Sequence, residues 1–168
     1  MQRPLIRALA LTVAIAALAA AAPASAQQPL RVPIAGTITP GSDGACTDAV
    51  LSGPQLRWHC SDASETYAGG LASTADAVYE VRGSFNLRSG ATRTRGSETF
   101  TGCVAEACGT LEWRWHVTFA TDAATATVVH GQGQARITGG TGGLAGARGS
   151  FVIKCLPEGC TYDGHVLL

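Results

Sequence analysis

The stretch Gly109-Thr-Leu-Glu-Trp-Arg-Trp-His-Val-Thr-Phe-Ala120 decides the fold class. Leu111, Trp113, Trp115, Val117 and Phe119 occupy every second position, and Thr110, Glu112, Arg114, His116 and Thr118 fill the places between. A period of two is that of a pleated strand, whose side chains alternate between its faces. A row of five apolar side chains on one face demands burial, so this strand is one wall of a sheet with a covered side.

Outward from it, no stretch from Gln27 onward has convincing helical periodicity, whereas period-two alternation recurs between glycine-rich breaks. Further strands are predicted at Arg31–Thr39, Pro54–Cys60, Ala77–Leu87, Ser97–Val104, Thr125–Thr138, Ala145–Lys154 and Cys160–Leu168. Turns are predicted at Pro40–Gly44, Gly69-Gly70, Ser89-Gly90, Thr121-Asp122 and Gly139–Gly143, where glycine supplies positive φ or a short polar side chain closes the reversal. About eight strands with short connections predict one all-β domain over 27–168, an antiparallel β-barrel stapled by disulfides. The tetrapeptide Arg-Gly-Ser-Phe occurs at Arg82–Phe85 and again at Arg148–Phe151. Its flanks do not match, which favours coincidence; a shared device would have glycine allow curvature and phenylalanine fill the core.

The first 26 residues read as a secretory signal. Arg3 and Arg7 precede an apolar run from Ala8 to Ala22, and Ala24-Ser25-Ala26 has the small-x-small pattern that signal peptidase cuts. The run falls short of the roughly 20 residues a spanning helix needs, and no later stretch is long and apolar enough, so no membrane span is expected in the mature chain. The expected destination is the periplasm or the medium. Six cysteines in an exported chain read as three disulfides. Cys103 with Cys108 and Cys155 with Cys160 have equal short spacing, which leaves Cys46 to join Cys60. A metal site built from the two close pairs is disfavoured, because thiolates in an oxidising compartment are oxidised and zinc knuckles use Cys-x2-Cys. Neither close pair has the Cys-x-x-Cys setting of a redox centre.

Loss of the signal removes Arg3 and Arg7 from 12 basic residues against 12 acidic ones, so the mature domain is slightly acidic. That argues against nucleic acid as a partner. Arg82, Arg88, Arg93 and Arg95 form the nearest thing to a basic cluster, around Ser89–Thr92, and read as a solvated turn in preference to an anion site. Gly140-Thr-Gly142-Gly-Leu-Ala145 fits a dinucleotide fingerprint only superficially, since a strand and not a helix is predicted to follow, and no cofactor is expected. The sequence has no nucleophile elbow, zinc-protease helix, EF-hand loop or phosphate-binding loop.

A site assembled from separate strands would leave no such local signature. Glu112, Arg114 and His116 project to one face at i, i+2 and i+4 and form a candidate catalytic row, with a solvated outer face as the stronger reading. Trp113, Trp115 and Phe119 on the opposite face are candidate ligand-binding residues, with core packing as the stronger reading, because a barrel of about eight strands either fills itself or holds one small ligand.

Gln134-Ala-Arg-Ile-Thr-Gly-Gly-Thr-Gly-Gly-Leu-Ala-Gly-Ala-Arg-Gly-Ser-Phe151 resembles the strand–turn–strand signature of the allene oxide cyclase and dirigent-like barrel superfamily. The matching elements are Gly139–Gly142 and Ala147-Arg148-Gly149. The resemblance implies a calycin-like eight-stranded barrel with an apolar interior, and relatives that steer cyclisation or coupling of small hydrophobic molecules or have no known activity. Arg148 would match the arginine of the family's motif, as a further catalytic candidate. The cysteine pairs, and the absence of an acidic partner beside Gly143 and Leu144, depart from the family pattern. The expected function is therefore binding of an apolar small molecule in the barrel. A cyclase- or isomerase-type enzyme and a structural or protein-binding envelope protein are the alternatives.

Overall fold

The computed structural model describes residues 28–122 and 127–168. The expected signal segment 1–26 lies outside these residues. The described chain contains ten strands and no helix: β1 (Arg31–Pro40), β2 (Ala45–Cys46), β3 (Val50–Ser52), β4 (Gln55–Gly69), β5 (Ala72–Asn86), β6 (Ala91–Val104), β7 (Ala107–Asp122), β8 (Thr127–Gly142), β9 (Arg148–Leu156) and β10 (Gly159–Leu167). From β4 to β10 each strand pairs antiparallel with the next, and β1 closes the circuit by pairing with both β10 and β4. The result is a ring of eight antiparallel strands.

β4 has a single edge long enough for three successive partners. β1 takes Glu65–Gly69, β2 takes Cys60 and Ser61, and β3 takes Gln55–Arg57. Ring closure therefore stops part-way along β4, and the ring has two unlike ends. At the closed end, Leu71, Leu144 and Ala147 from the turns and Val104 at the end of β6 are fully buried and plug the interior. At the open end the inward side chains Leu56, Trp58, Phe85, Trp115 and Phe119 are half-buried.

All eight strands of the ring include or overlap a predicted one, and the differences have physical causes. β4 runs on to Gly69, well past the expected stop at Cys60, because a bulge absorbs the polar stretch that follows. Cys60 faces Val81 and the next pair is Ala63 with Tyr79, so one extra residue is accommodated, and Asp62 takes φ 57° there. Aspartate tolerates the left-handed region better than most residues. The extra residue also reverses which side chains point inward: Trp58 and Cys60 before it, Ala63, Glu65 and Tyr67 after it. The expected turn at Gly139–Gly143 is displaced. Gly139, Gly140 and Thr141 still pair with Glu112, Leu111 and Thr110, and the chain reverses over Gly142–Ala147. A Cβ at Gly140 would lie 2.5 Å from the carbonyl oxygens of both Leu144 and Thr110, so close backbone approach, and not a reversal, fixes glycine there. A strand follows this turn, as expected.

The disulfides are Cys46–Cys60, Cys103–Cys108 and Cys155–Cys160. Each joins residues directly opposite one another on paired strands. Both Arg-Gly-Ser-Phe copies put glycine and phenylalanine on the inner face, Gly83 with Phe85 and Gly149 with Phe151.

Candidate binding site

β7 turns its apolar face inward. Leu111, Trp113 and Val117 are buried, and Trp115 and Phe119 are half-buried. Glu112, Arg114 and His116 are exposed on the outside, and Arg148 is exposed at the turn, where Nη1 donates to the carbonyl of Ala147 at 2.8 Å. The four catalytic candidates thus share no common face toward the interior, and Arg148 is engaged with its own turn.

The three aromatic candidates separate into two environments. Trp113 is 1% exposed and packs edge-on to Tyr67 and Phe151 at ring separations of 5.4 and 5.3 Å. Phe100 and Tyr162 extend this cluster, which fills the middle of the ring. Interlocked rings of this kind add about 0.5–1.5 kcal/mol per pair to the gain from burial. Trp115 and Phe119 lie toward the open end. Each rests against a glycine of the neighbouring strand, as Trp58 does: an added Cβ would fall 2.1 Å from the Trp58 ring at Gly83, 2.8 Å from the Trp115 ring at Gly96 and 2.4 Å from the Phe119 ring at Gly131. Large rings laid against bare backbone line a wall, whereas Trp113 occupies the centre. Tyr79 meets Trp115 at 6.0 Å, and burial with nearby carboxylates pushes its hydroxyl up to about 12. The Trp115 indole nitrogen is buried without a hydrogen-bond partner among the described residues.

Between the plugged end and this wall lies a group that the sequence reading missed. Glu98 is 4% exposed on β6, and its Oε2 accepts from Trp113 Nε1 at 2.9 Å and contacts the Tyr67 hydroxyl at 3.1 Å. The same hydroxyl reaches Glu65 Oε1 at 2.5 Å. A phenol has one proton to donate, so the hydroxyl donates to one carboxyl and the contact with the other is favourable when that other is protonated. Burial raises Glu98 well above the usual carboxylate range, and the negative charge of Glu65 raises it further. Burial raises Glu65 as well, against opposing hydrogen bonds from Tyr67 and Glu98. Two acids in one dry site titrate as a unit, with the second proton lost reluctantly. Tyr67 is pushed upward by burial and by both carboxylates. Tyr67 ties the two carboxyls together and Trp113 holds Glu98, so the pair is wired to the aromatic core, while Glu98 Oε1 has no hydrogen-bond partner among the described residues.

The outer face of β4–β7 carries a concavity of about 600 Å³ whose walls include Arg57, Arg82, Arg93, Arg95 and His116. Among the described residues no group of three or more His, Cys, Asp and Glu side chains is placed to hold a metal ion, and no helix is long and apolar enough to cross a membrane.

No protein-family model matches this chain, and no curated protein matches it in sequence. A solved structure does match in shape. It is a crystal structure of a protein with unknown function from the DUF3224 family of Shewanella oneidensis MR-1, with a TM-score of 0.62 over 83% of this chain and 98% of that one. At 16% identity the likeness is one of fold.

Proposed function

We propose that this protein is an exported binding module that holds a flat apolar small molecule at the open end of its ring. The carrying observation is the contrast between the two halves of one interior. The closed half is filled by Phe100, Trp113, Phe151 and Tyr162 and plugged by Leu71 and Leu144, while the open half keeps Trp58, Trp115 and Phe119 half-buried against glycines. Small-molecule sites are concave, mostly apolar and supplied with a few polar groups, and here the Tyr79 hydroxyl, whose ring meets Trp115, is the polar group at hand. The allene oxide cyclase and dirigent-like resemblance at Gly139–Gly149 supports the same reading, since it too implies an apolar interior. The three disulfides suit an oxidising compartment.

The test is native mass spectrometry of the chain from Gln27, exported by a host with an oxidising compartment and exposed to an apolar extract of its source cells. A retained adduct that Trp115→Ala loses, with the fold intact by circular dichroism, is the expected result. A protein that carries no adduct from any extract fraction would overturn the reading and favour a surface role.

A further inference from the structure

The open end carries a combination of side chains that the binding site does not use. Val50 and Leu51 on β3 are 64% and 62% exposed, and Leu87, past the end of β5, is 49% exposed. Leu51 pairs with Leu56, which in turn pairs with Phe85, so the apolar inner wall continues outward to the rim. The Leu87 amide bonds the Pro54 carbonyl at 2.9 Å and holds the β5–β6 turn beside the β3–β4 turn. Val50 lies on the other side of the sheet, in one register row with Arg57, Ser84 and Arg93. Residues directly opposite in an antiparallel pair share a face, so exposed aliphatic groups and exposed guanidinium groups meet along a single rim.

The cations are more crowded than folding alone would favour. Arg82 is directly opposite Arg95 and Arg114 directly opposite Arg136, all exposed on the outside of the ring. Like charges in such positions are destabilising in an isolated sheet. Arg88 adds a further cation in the turn itself, next to Leu87. Acidic residues at this end are Asp48, Asp122 and Glu158, and Glu80 borders the arginine rows farther along β5.

We propose that this rim docks the protein on an anionic lipid bilayer, with Leu51 and Leu87 entering the interface and Arg57, Arg88 and Arg93 meeting headgroup phosphates. Lasting peripheral attachment takes two signals, apolar insertion and a basic patch, and both are present on one edge. Arginines are attracted to an anionic surface, and guanidinium groups match phosphate oxygens in geometry. The docking edge is also the lip of the aromatic wall, so an apolar molecule would pass between bilayer and ring without crossing water. Docking itself does not depend on that cargo, and the two readings fail separately.

The experiment is co-sedimentation of the disulfide-bonded chain from Gln27 with vesicles of phosphatidylglycerol and phosphatidylcholine, against vesicles of phosphatidylcholine alone. The wild type is expected on the anionic vesicles and to be released by high salt. Leu51→Asp and Leu87→Asp, both at exposed positions, should each weaken binding about tenfold, since burying a leucine is worth roughly 1.5–3 kcal/mol and tenfold corresponds to 1.4 kcal/mol. Arg57→Glu with Arg93→Glu should abolish the preference for the anionic lipid. Leu30→Asp, at the opposite end and equally exposed, should bind as wild type does. Equal binding to both vesicle types, or a loss with Leu30→Asp as large as with Leu51→Asp, would overturn the proposal. So would a wild type that ignores vesicles and self-associates in sedimentation velocity until Leu51→Asp makes it monomeric, which would assign the rim to a second copy of the chain.

Discussion

Replacing Glu98 by glutamine should flatten the pH dependence of stability. Glu98 is buried at 4% exposure with Oε2 held by Trp113 and Tyr67, and burial with the Glu65 charge keeps its proton on to a higher pH than in the unfolded chain. A folded state that binds one more proton than the unfolded one loses stability as pH rises, at about 1.4 kcal/mol per pH unit. The stabilising contribution is complete below the unfolded value near pH 4.5 and is lost as pH climbs through the raised folded value. The glutamine side chain presents the same acceptor to Trp113 with no charge to form. The two proteins should therefore have similar unfolding free energies at about pH 4. Above it the variant gains on the wild type by about 1.4 kcal/mol for each pH unit over which Glu98 holds its proton. The assay is equilibrium urea unfolding of both proteins with disulfides intact at a series of pH values; contributions from groups remote from the pair cancel in the difference, while the coupled titration of Glu65 stays in it. Parallel stability curves across pH 4–8 would refute the reasoning.

Three further outcomes follow from the packing. Trp113→Ala should cost about 3–5 kcal/mol from cavity formation, with an added loss because Glu98 is left without its indole donor, and calorimetry would register a large drop in Tm. Gly36→Ala should prevent ring closure, since the new Cβ would collide with the Ala68 carbonyl oxygen, where β1 meets β4; loss of amide protection in hydrogen exchange over Gly36–Thr39 is the readout, and wild-type protection would refute it. In the chain-entropy view of cross-links, replacing Cys46 and Cys60 by serine should cost about 3 kcal/mol, against about 2 for Cys103 with Cys108, because the loop is longer. Denaturant midpoints of the two double variants test that order.

Much of the scaffold was legible because period-two alternation acts locally. Gly109–Ala120 announces its buried face in every second letter, and equal Cys spacing matches cross-strand neighbours that only a hairpin brings together. The site was less legible. Glu98 lies in register with Phe100, Gly102 and Val104 on the inner face of β6, a charged residue in an apolar line, and that break in the pattern was the available signal. Glu65 and Tyr67 had none, because their inward direction depends on the bulge at Asp62, and one extra residue reverses the parity of everything after it. The rim escaped notice for another reason: Val50, Arg57 and Arg93 become neighbours only through pairing of β3, β4, β5 and β6. Read along the chain, the arginines around Ser89–Thr92 look like an ordinary polar turn.

The central claim is that one half of the ring interior is core and the other half is a binding wall. Three indole N–H resonances, from Trp58, Trp113 and Trp115, report the two halves separately in a nitrogen-15 correlation spectrum. Titration with 1-naphthol, a flat apolar probe, should shift the Trp115 and Trp58 signals in a saturable way and leave Trp113, bonded to Glu98, in place. No saturable shift at any indole, or a Trp113 shift as large as that of Trp115, would contradict the account.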